Sequence, residues 1–320
     1  MDTTVIIPNY NGAKFLEPCI SSLLSCGDEG FKIVVVDDGS TDGSADHIRD
    51  RYPEVTVVKN DENIGFAASV NRGIEASDTE YVLLLNNDTV VEEQFVSRME
   101  DALKADEKIF SASARMLKLN APDIVDGAGD YYCALGWAYA YGKDKKAEKI
   151  DKPREIFSAC GGAAIYRKSV LDEIGLFDER HFAYLEDVDL GYRAKIAGYK
   201  NVYVPEATVL HAGSGSTGSR YNEFKIRLSS RNSTYLICKN MPVLQQIINL
   251  PFFMIGFAVK FLFFFAKGYG GLYLKGLFTG IKMGYDREGR AHRVRFKPAN
   301  FGHYVMIQLQ LWVNVVRRFT

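Results

Sequence analysis

The sequence predicts an α/β fold: a sheet of parallel strands with right-handed helical crossovers, followed by a tail of apolar, basic helices. Three observations predict it. Two apolar runs, Ile33–Val36 and Tyr81–Leu85, end in acidic or amide residues, Asp37-Asp38-Gly39-Ser40 and Asn86-Asn87-Asp88. Such runs, bounded by polar turn residues, suit strands covered on both faces. Strand and helix patterns alternate through residue 110, as in a parallel sheet. Charge is unevenly placed: 28 Lys+Arg and 38 Asp+Glu lie in Met1–Asn240, against 11 Lys+Arg and 2 Asp+Glu in Met241–Thr320.

Each element follows from its pattern. Val5–Ile7 begins the sheet, and Lys14–Ser25 has helical spacing through Phe15, Leu16, Ile20, Leu23 and Leu24. Lys32–Val36 is the second strand, Ser44–Arg51 a short helix and Val55–Lys59 the third strand. A helix at Gly65–Ala76, a strand at Tyr81–Leu85 and a helix at Glu92–Ala105 follow. Ser111–Ile150 is irregular and rich in Tyr, Trp and Gly, so it is either a substrate-side insertion or a mixed edge strand with loops. Ser158–Tyr166 returns to strand character, Ser169–Ile174 and Tyr184–Gly198 read as helices, and Val202–Leu210 as a strand.

At 320 residues the chain is long enough for one large domain or two. The composition shift divides it into a domain at 1–240 and a membrane-associating helical tail at 241–320. Leu250–Ala266 is almost wholly apolar but is broken by Pro251, Gly256 and Lys260, and a spanning helix needs about 20 apolar residues. Lys282–Lys297 carries six Lys+Arg against two acids, and Tyr304–Phe319 ends in Arg317-Arg318. Helices lying in an anionic membrane surface fit best; a spanning helix, core burial and a homodimer interface are the alternatives. Nucleic acid is excluded as a partner, because the body is acidic and the basic run sits between apolar helices. The chain enters a strand pattern at Thr4 without a signal-peptide pattern, and its five cysteines form no CxxC pair. Reduced thiols in the cytoplasm are expected.

The motifs point to a site beyond the carboxyl ends of the strands, where open parallel sheets bind ligands. Pro8 ends the first strand, and Asn9 and Tyr10 follow where a planar base would lie; alone, this is only strand-to-loop punctuation. Asp37 and Asp38 suit a pyrimidine N–H or ribose hydroxyls, or the cap of the next helix. A calcium loop is excluded, since Arg49 stands where its twelfth-position Glu belongs. Asn63, Gly65 and Phe66 open a helix that carries Asn71 and Arg72, and Arg72 would reach a phosphate or brace the base-binding carboxylates. Asn86, Asn87 and Asp88 offer oxygen to Mg²⁺ or Mn²⁺, with His211 as a further ligand that favours Mn²⁺. Glu186 and Asp187 open a helix and cannot face the same way, which separates a catalytic from a structural role. Gly213–Gly218 matches GxGxxG, but no strand-ending acid follows it, so it reads as a flap over a diphosphate.

Taken in order, Val36-Asp37-Asp38-Gly39-Ser40, Asn63-Ile64-Gly65-Phe66, Leu85-Asn86-Asn87-Asp88, Cys160-Gly161-Gly162-Ala163, Glu186-Asp187-Val188-Asp189 and Leu210-His211 resemble the family 2 inverting glycosyltransferases, in particular their rhamnosyltransferase-like branch. The resemblance runs from Val5 to about Asn240. It implies a GT-A-type, Rossmann-like mixed sheet flanked by helices. It implies transfer of a sugar from a nucleotide-sugar, dTDP-rhamnose first, to a hydroxyl of a glycan or lipid-linked acceptor in cell-envelope polysaccharide synthesis; a UDP-hexose-dependent transferase and a non-catalytic nucleotide-sugar- or membrane-binding protein are the alternatives. Asp38, with Asp37, would bind the nucleobase. Asp88 would bind metal with His211, and Asp187 would be the general base. Gly161, Gly162 and Trp137 would lie on the sugar and acceptor side. Asn86 stands where many relatives carry a second metal-side carboxylate. The tail implies a cytoplasmic enzyme peripheral to the inner face of the cell membrane.

Overall fold

The computed structural model describes residues 1–213 and 222–320. The chain runs β1 (Thr3–Asn9), α1 (Leu16–Leu24), β2 (Lys32–Asp37), α2 (Ser44–Arg51), β3 (Thr56–Lys59), α3 (Phe66–Glu75) and β4 (Tyr81–Leu85). It continues through β5 (Thr89–Val91), α4 (Phe95–Lys104), β6 (Ile109–Lys118), β7 (Ala121–Gly127), β8 (Asp130–Cys133), β9 (Trp137–Ala140) and β10 (Arg154–Ile156). Then come β11 (Ala163–Arg167), α5 (Lys168–Ile174), α6 (Glu186–Ala197), β12 (Lys200–His211), α7 (Glu223–Asn240), α8 (Val243–Ala266), α9 (Gly270–Tyr285), α10 (Arg287–His292) and α11 (Phe301–Phe319).

The main sheet has the order β10-β12-β6-β11-β4-β1-β2-β3, with β5 on β12 and β7 on β6. β4, β1, β2 and β3 are parallel, as the alternating pattern predicts. β11 is antiparallel to both β4 and β6, which makes the sheet mixed. Burial on both faces explains the unbroken apolar runs. Ile6, Val34, Val36, Val82 and Leu84 enter one core cluster, and Val5, Ile7, Ile33, Val35, Leu83 and Leu85 enter the other. This is the two-residue alternation of a strand, with both sides dry.

Several boundaries differ from expectation. Pro8 lies inside β1, in register with Val36, rather than ending the strand. The expected strand at Ser158–Tyr166 begins only at Ala163, and β5 is too short to leave a pattern. Ser111–Ile150 contributes a sheet strand and its antiparallel partner, β6 and β7, and a separate hairpin, β8–β9. Five of the six residues of the GxGxxG stretch, Ser214–Gly218, and with them the expected diphosphate flap, fall outside the described residues.

Helix α7 has no clear amphipathic pattern because it is buried on most sides. Helix α9 packs against it through Gly276, Gly280 and Gly284, one per turn. A Cβ on Gly280 would collide with Arg231 O and Thr234, and one on Gly284 with the Cys238 side chain. The division expected at Asn240 is not a gap in the packing. Phe253, Tyr304, Ile307 and Leu311 belong to the same core cluster as Tyr132, Tyr192 and Leu236. Helix α8 buries Gln245, Asn249, Phe253 and Gly256, half-buries Phe252 and Phe257 against the core, and exposes most of its other side chains. It is long and apolar enough to cross a membrane by length and composition. That buried line is nevertheless tied to the body: Tyr192 Oη donates to Gln245 at 2.8 Å, and Asn249 and Gln308 exchange hydrogen bonds at 2.8 and 2.9 Å.

Candidate active site

The ends of β1, β2 and β4 converge on one polar network. Asn9 Nδ2 donates to Asp37 Oδ1 and Ser44 Oγ, each at 2.9 Å, while its Oδ1 accepts from Asn87 Nδ2 at 2.8 Å. Asn9, Asp37 and Asn87 are all buried and bind one another, so they organise the strand ends. Asp38 Oδ1 accepts from Asn60 Nδ2 and Ile64 N, each at 2.9 Å, and its Oδ2 accepts from Gly65 N at 3.0 Å. These fill three of the roughly four acceptor positions of a carboxylate. Asp38 therefore pins the loop Asn60–Gly65, with one position left for a ligand. Arg72 braces this acid indirectly, donating to Asn60 Oδ1 at 2.6 Å. Asn71, expected beside the nucleotide, lies elsewhere: its amide bonds Phe177 O, Glu179 and Phe177 N, which ties α3 to the segment before α6. Tyr10 and Asn63 are exposed at the rim.

A second group forms where β5 pairs with β12, with Thr89 opposite His211. That register brings His211 Nε2 to 3.2 Å from Asp88 Oδ1. The other ring nitrogen, Nδ1, lies 2.7 Å from Asp126 Oδ2 at the end of β7. Burial pulls the imidazole down, but hydrogen bonds to Asp126 and Asp88 outweigh it and raise it to about 9. The hydrogen bond to His211, with Lys143 beyond, holds the Asp126 carboxyl well below the usual range. Carboxylate, imidazole and outer carboxylate form a set suited to a divalent cation, with the outer acid orienting the ring. Asp126 sits in the irregular stretch, and its only sequence signal is an acid ending a short apolar run.

The third group surrounds Asp187. The loop before α6 carries positive φ at Phe182 (63°), Tyr184 (72°) and Leu185 (67°). Such backbone persists only when its surroundings hold it, and it concentrates at functional sites. Asn232 of α7 holds it here, donating to His181 O, Ala183 O and Tyr184 O at 2.9, 2.9 and 2.7 Å. Gly65 completes the fit: its φ is +93°, and Phe182 occupies the space where a Cβ would point. Asp187 Oδ2 accepts from Gly161 N at 3.2 Å, and Oδ1 from Val188 N at 2.7 Å. Burial raises its carboxyl above the ordinary value. Asp130, Cys160 and Asp187 bring ligand atoms within 4.8 Å of one another. Burial and then the Asp187 charge lift the Asp130 carboxyl to about 8. Glu186 points into buried surroundings, and its Oε2 has no partner among the described residues.

Gly161 lies under the Phe66 ring, and Gly162 under the Asn86 amide, each too close for a side chain to fit without displacement. Asn86 N also donates to Gly162 O at 2.9 Å, joining the metal-side turn to the Gly-Gly turn. Trp137 departs from expectation. Its indole N–H donates to Gly256 O at 3.1 Å, and Lys260 stands over its ring at 5.4 Å, so it docks the hairpin on α8.

A family profile described as Glycosyl transferase family 2 matches residues 4–175, more than half of the chain. The chain belongs to glycosyl transferase family 2. This glycosyltransferase is 29% identical over 239 residues to an N-acetylglucosaminyl-diphospho-decaprenol L-rhamnosyltransferase of Mycobacterium tuberculosis, covering 67% of this chain and 77% of that protein. Among solved structures, the transferase is similar to GalNAc-T7 with UDP, GalNAc and Mn²⁺: TM-score 0.60, 17% identity, 73% of this chain and 47% of that one. It is also similar to a Pyrobaculum calidifontis mannosyltransferase with GDP-Man and Mn²⁺: TM-score 0.54, 18% identity, 97% of this chain and 84% of that one. At these identities the structures speak for the fold, a GT-A glycosyltransferase sheet flanked by helices.

Proposed function

We propose that the transferase moves a sugar, with inversion, from a nucleotide-sugar to a hydroxyl of a lipid-linked glycan acceptor, and that dTDP-rhamnose is the donor. The observation that carries this reading is Asp187: a half-buried carboxylate, oriented by Gly161 N and Val188 N, at the head of a helix beside the Gly-Gly turn. The mycobacterial relative supports the rhamnosyl donor and the lipid-linked acceptor by its name.

In this reaction the acceptor oxygen bonds to the anomeric carbon as the bond from that carbon to the diphosphate oxygen breaks. Asp187 takes the proton from the attacking hydroxyl, and such general-base help is worth about 10²–10⁴-fold. Its raised proton affinity suits that task. Asp38 and the loop it pins hold the nucleoside, and the Gly161-Gly162 turn, packed under Phe66 and Asn86, lines the sugar side. Asp88 and His211 would hold a divalent cation, Mg²⁺ or Mn²⁺, which supplies charge neutralisation for the leaving diphosphate.

The tail supports a peripheral position on the cytoplasmic face of the membrane. Val243, Leu244, Ile247, Met254, Ile255 and Leu262 are exposed along α8, and the tail as a whole is strongly basic. Burying such a face in the headgroup region, with Lys and Arg at anionic lipid, is favourable.

The test uses the full chain with dTDP-rhamnose and UDP-hexoses, membrane lipid extract as acceptor, and Mn²⁺, Mg²⁺ or EDTA. Acceptor-dependent nucleoside diphosphate release is expected from one donor only, with a cation present and without loss of donor binding in Asp187→Asn. Near-normal turnover by Asp187→Asn overturns Asp187 as the base.

A further inference from the structure

The surroundings of Asp187 hold more acceptor oxygens than the described residues have donors to fill. Asp130 opens β8, and its backbone is clamped. Its N–H donates to Ser158 O at 2.9 Å, and its C=O accepts from Phe157 N at 3.0 Å and Ser158 N at 3.2 Å. The carboxyl group is thereby aimed at Asp187 and Cys160, within 4.8 Å. Among the described residues no hydrogen-bond donor reaches it; burial and the Asp187 charge dominate its surroundings. Glu186 provides a second, independent sign. It is only 6% exposed, its Oε2 is unpartnered, and its charge is felt at Cys160. The Glu186 oxygen is a buried acceptor without a donor, which is rare in native structures and marks a missing partner; Asp130 is half-buried and open to one.

Two kinds of partner fill such a pocket, a cation or hydroxyl groups. The donor set favours hydroxyls. Both Asp187 oxygens already accept backbone N–H groups. Burial, then Asp130 and Asp187, push the Cys160 thiol well above its ordinary value, so it stays protonated and is a poor ligand. A better cation pair exists at Asp88 and His211.

We infer that Asp130 binds the acceptor hydroxyl next to the one that Asp187 deprotonates, so the acceptor sugar presents two neighbouring hydroxyls to this pair of carboxyl groups. This rests on the transfer reaction proposed above. Asp130 exchanges no proton in the reaction; it orients the ring so that one hydroxyl faces the anomeric carbon. The position of Asp130 depends on the tail. The hairpin that it opens is held by Ala134 N to Leu311 O at 3.0 Å, by Asn314 Nδ2 to Tyr132 O at 2.9 Å, and by Trp137 on α8. The helices that carry the exposed apolar face thus also set the residue that reads the acceptor.

The experiment measures nucleoside diphosphate release by the full chain from its donor in two modes: slow hydrolysis without acceptor, and transfer to titrated membrane lipid extract. Asp130→Ala is expected to lower kcat/KM for the extract by about 2- to 10-fold, the loss for one hydrogen bond to a neutral group. Donor KM should stay at the wild-type level and transfer should fall more than hydrolysis, and Asp130→Asn, which keeps an acceptor oxygen, should recover much of the loss. Periodate, which cleaves between neighbouring hydroxyls, should abolish the acceptor activity of the extract. Unchanged transfer in Asp130→Ala, an equal fall of hydrolysis and transfer, or survival of acceptor activity after periodate overturns the inference. Absence of any donor turnover by wild type overturns the transfer reading itself, which separates the two failures.

Discussion

His211 stands between two carboxylates, with Nε2 3.2 Å from Asp88 and Nδ1 2.7 Å from Asp126. Asp88 lies in the turn just before β5 and His211 ends the antiparallel β12, whereas Asp126 arrives from β7. In the proposed cation site Asp88 would share the cation with His211, and Asp126 would set the ring.

Asp126→Ala should therefore weaken Mn²⁺ binding by about 10- to 100-fold, the usual cost of losing an outer partner of a metal-bound imidazole. Metal titration followed by calorimetry reads this directly. Unaltered affinity would assign Asp126 a purely structural role.

Asn232→Ala removes the amide that gathers three carbonyls of the loop before α6. It should cost about 1–3 kcal/mol of stability, as for unsatisfied buried polar groups. Turnover should fall more than donor affinity, because the strained loop sets the base and not the nucleoside. Urea melts and steady-state kinetics test both parts.

Asp130 makes stability fall with pH. Its carboxyl is raised from 3.8 to about 8 in the folded state. Between those values the folded chain keeps a proton that the unfolded chain has released, so stability decreases as pH rises through that window. Above it the penalty is constant. Asp130→Asn should flatten this slope, and denaturation midpoints collected from pH 5 to about 8 would show it. A slope equal to that of wild type would count against the assignment.

Gly280→Leu should separate α9 from α7, because the new side chain meets Arg231 O and Thr234. Overpacking of this kind costs about 1–3 kcal/mol. The melting temperature should drop, while the equally helical but unencumbered Gly271→Ala should not lower it.

Met254→Asp, on the exposed face of α8, tests the membrane reading. The variant should fail to float with vesicles of anionic phospholipid, and donor hydrolysis should persist. Flotation equal to wild type would remove α8 from the contact.

The strands β1–β4, the helices between them and the polar turns at their ends were legible because local patterns control them. Two dry faces demand unbroken apolar runs, and the polar network that joins the strand ends demands Asp and Asn. Asp88, His211 and Asp187 stand out as candidates in the same way, as acids or imidazole at element ends, and the fold brings Asp88 and His211 together. Asp126, Asp130 and Asn232 were not. Each owes its role to a partner more than 45 residues away, at His211, Asp187 and His181–Tyr184 in turn. The same holds for Asn71 and Trp137, whose residue types suit a ligand but whose partners lie within the protein. By itself the sequence determined the α/β class, the order of the elements and which acids and amides stand at the strand ends, because propensity and periodicity are local. Tertiary structure alone decided which polar groups remain unpaired and that the tail shares the body's core. Both depend on long-range packing that no local pattern records.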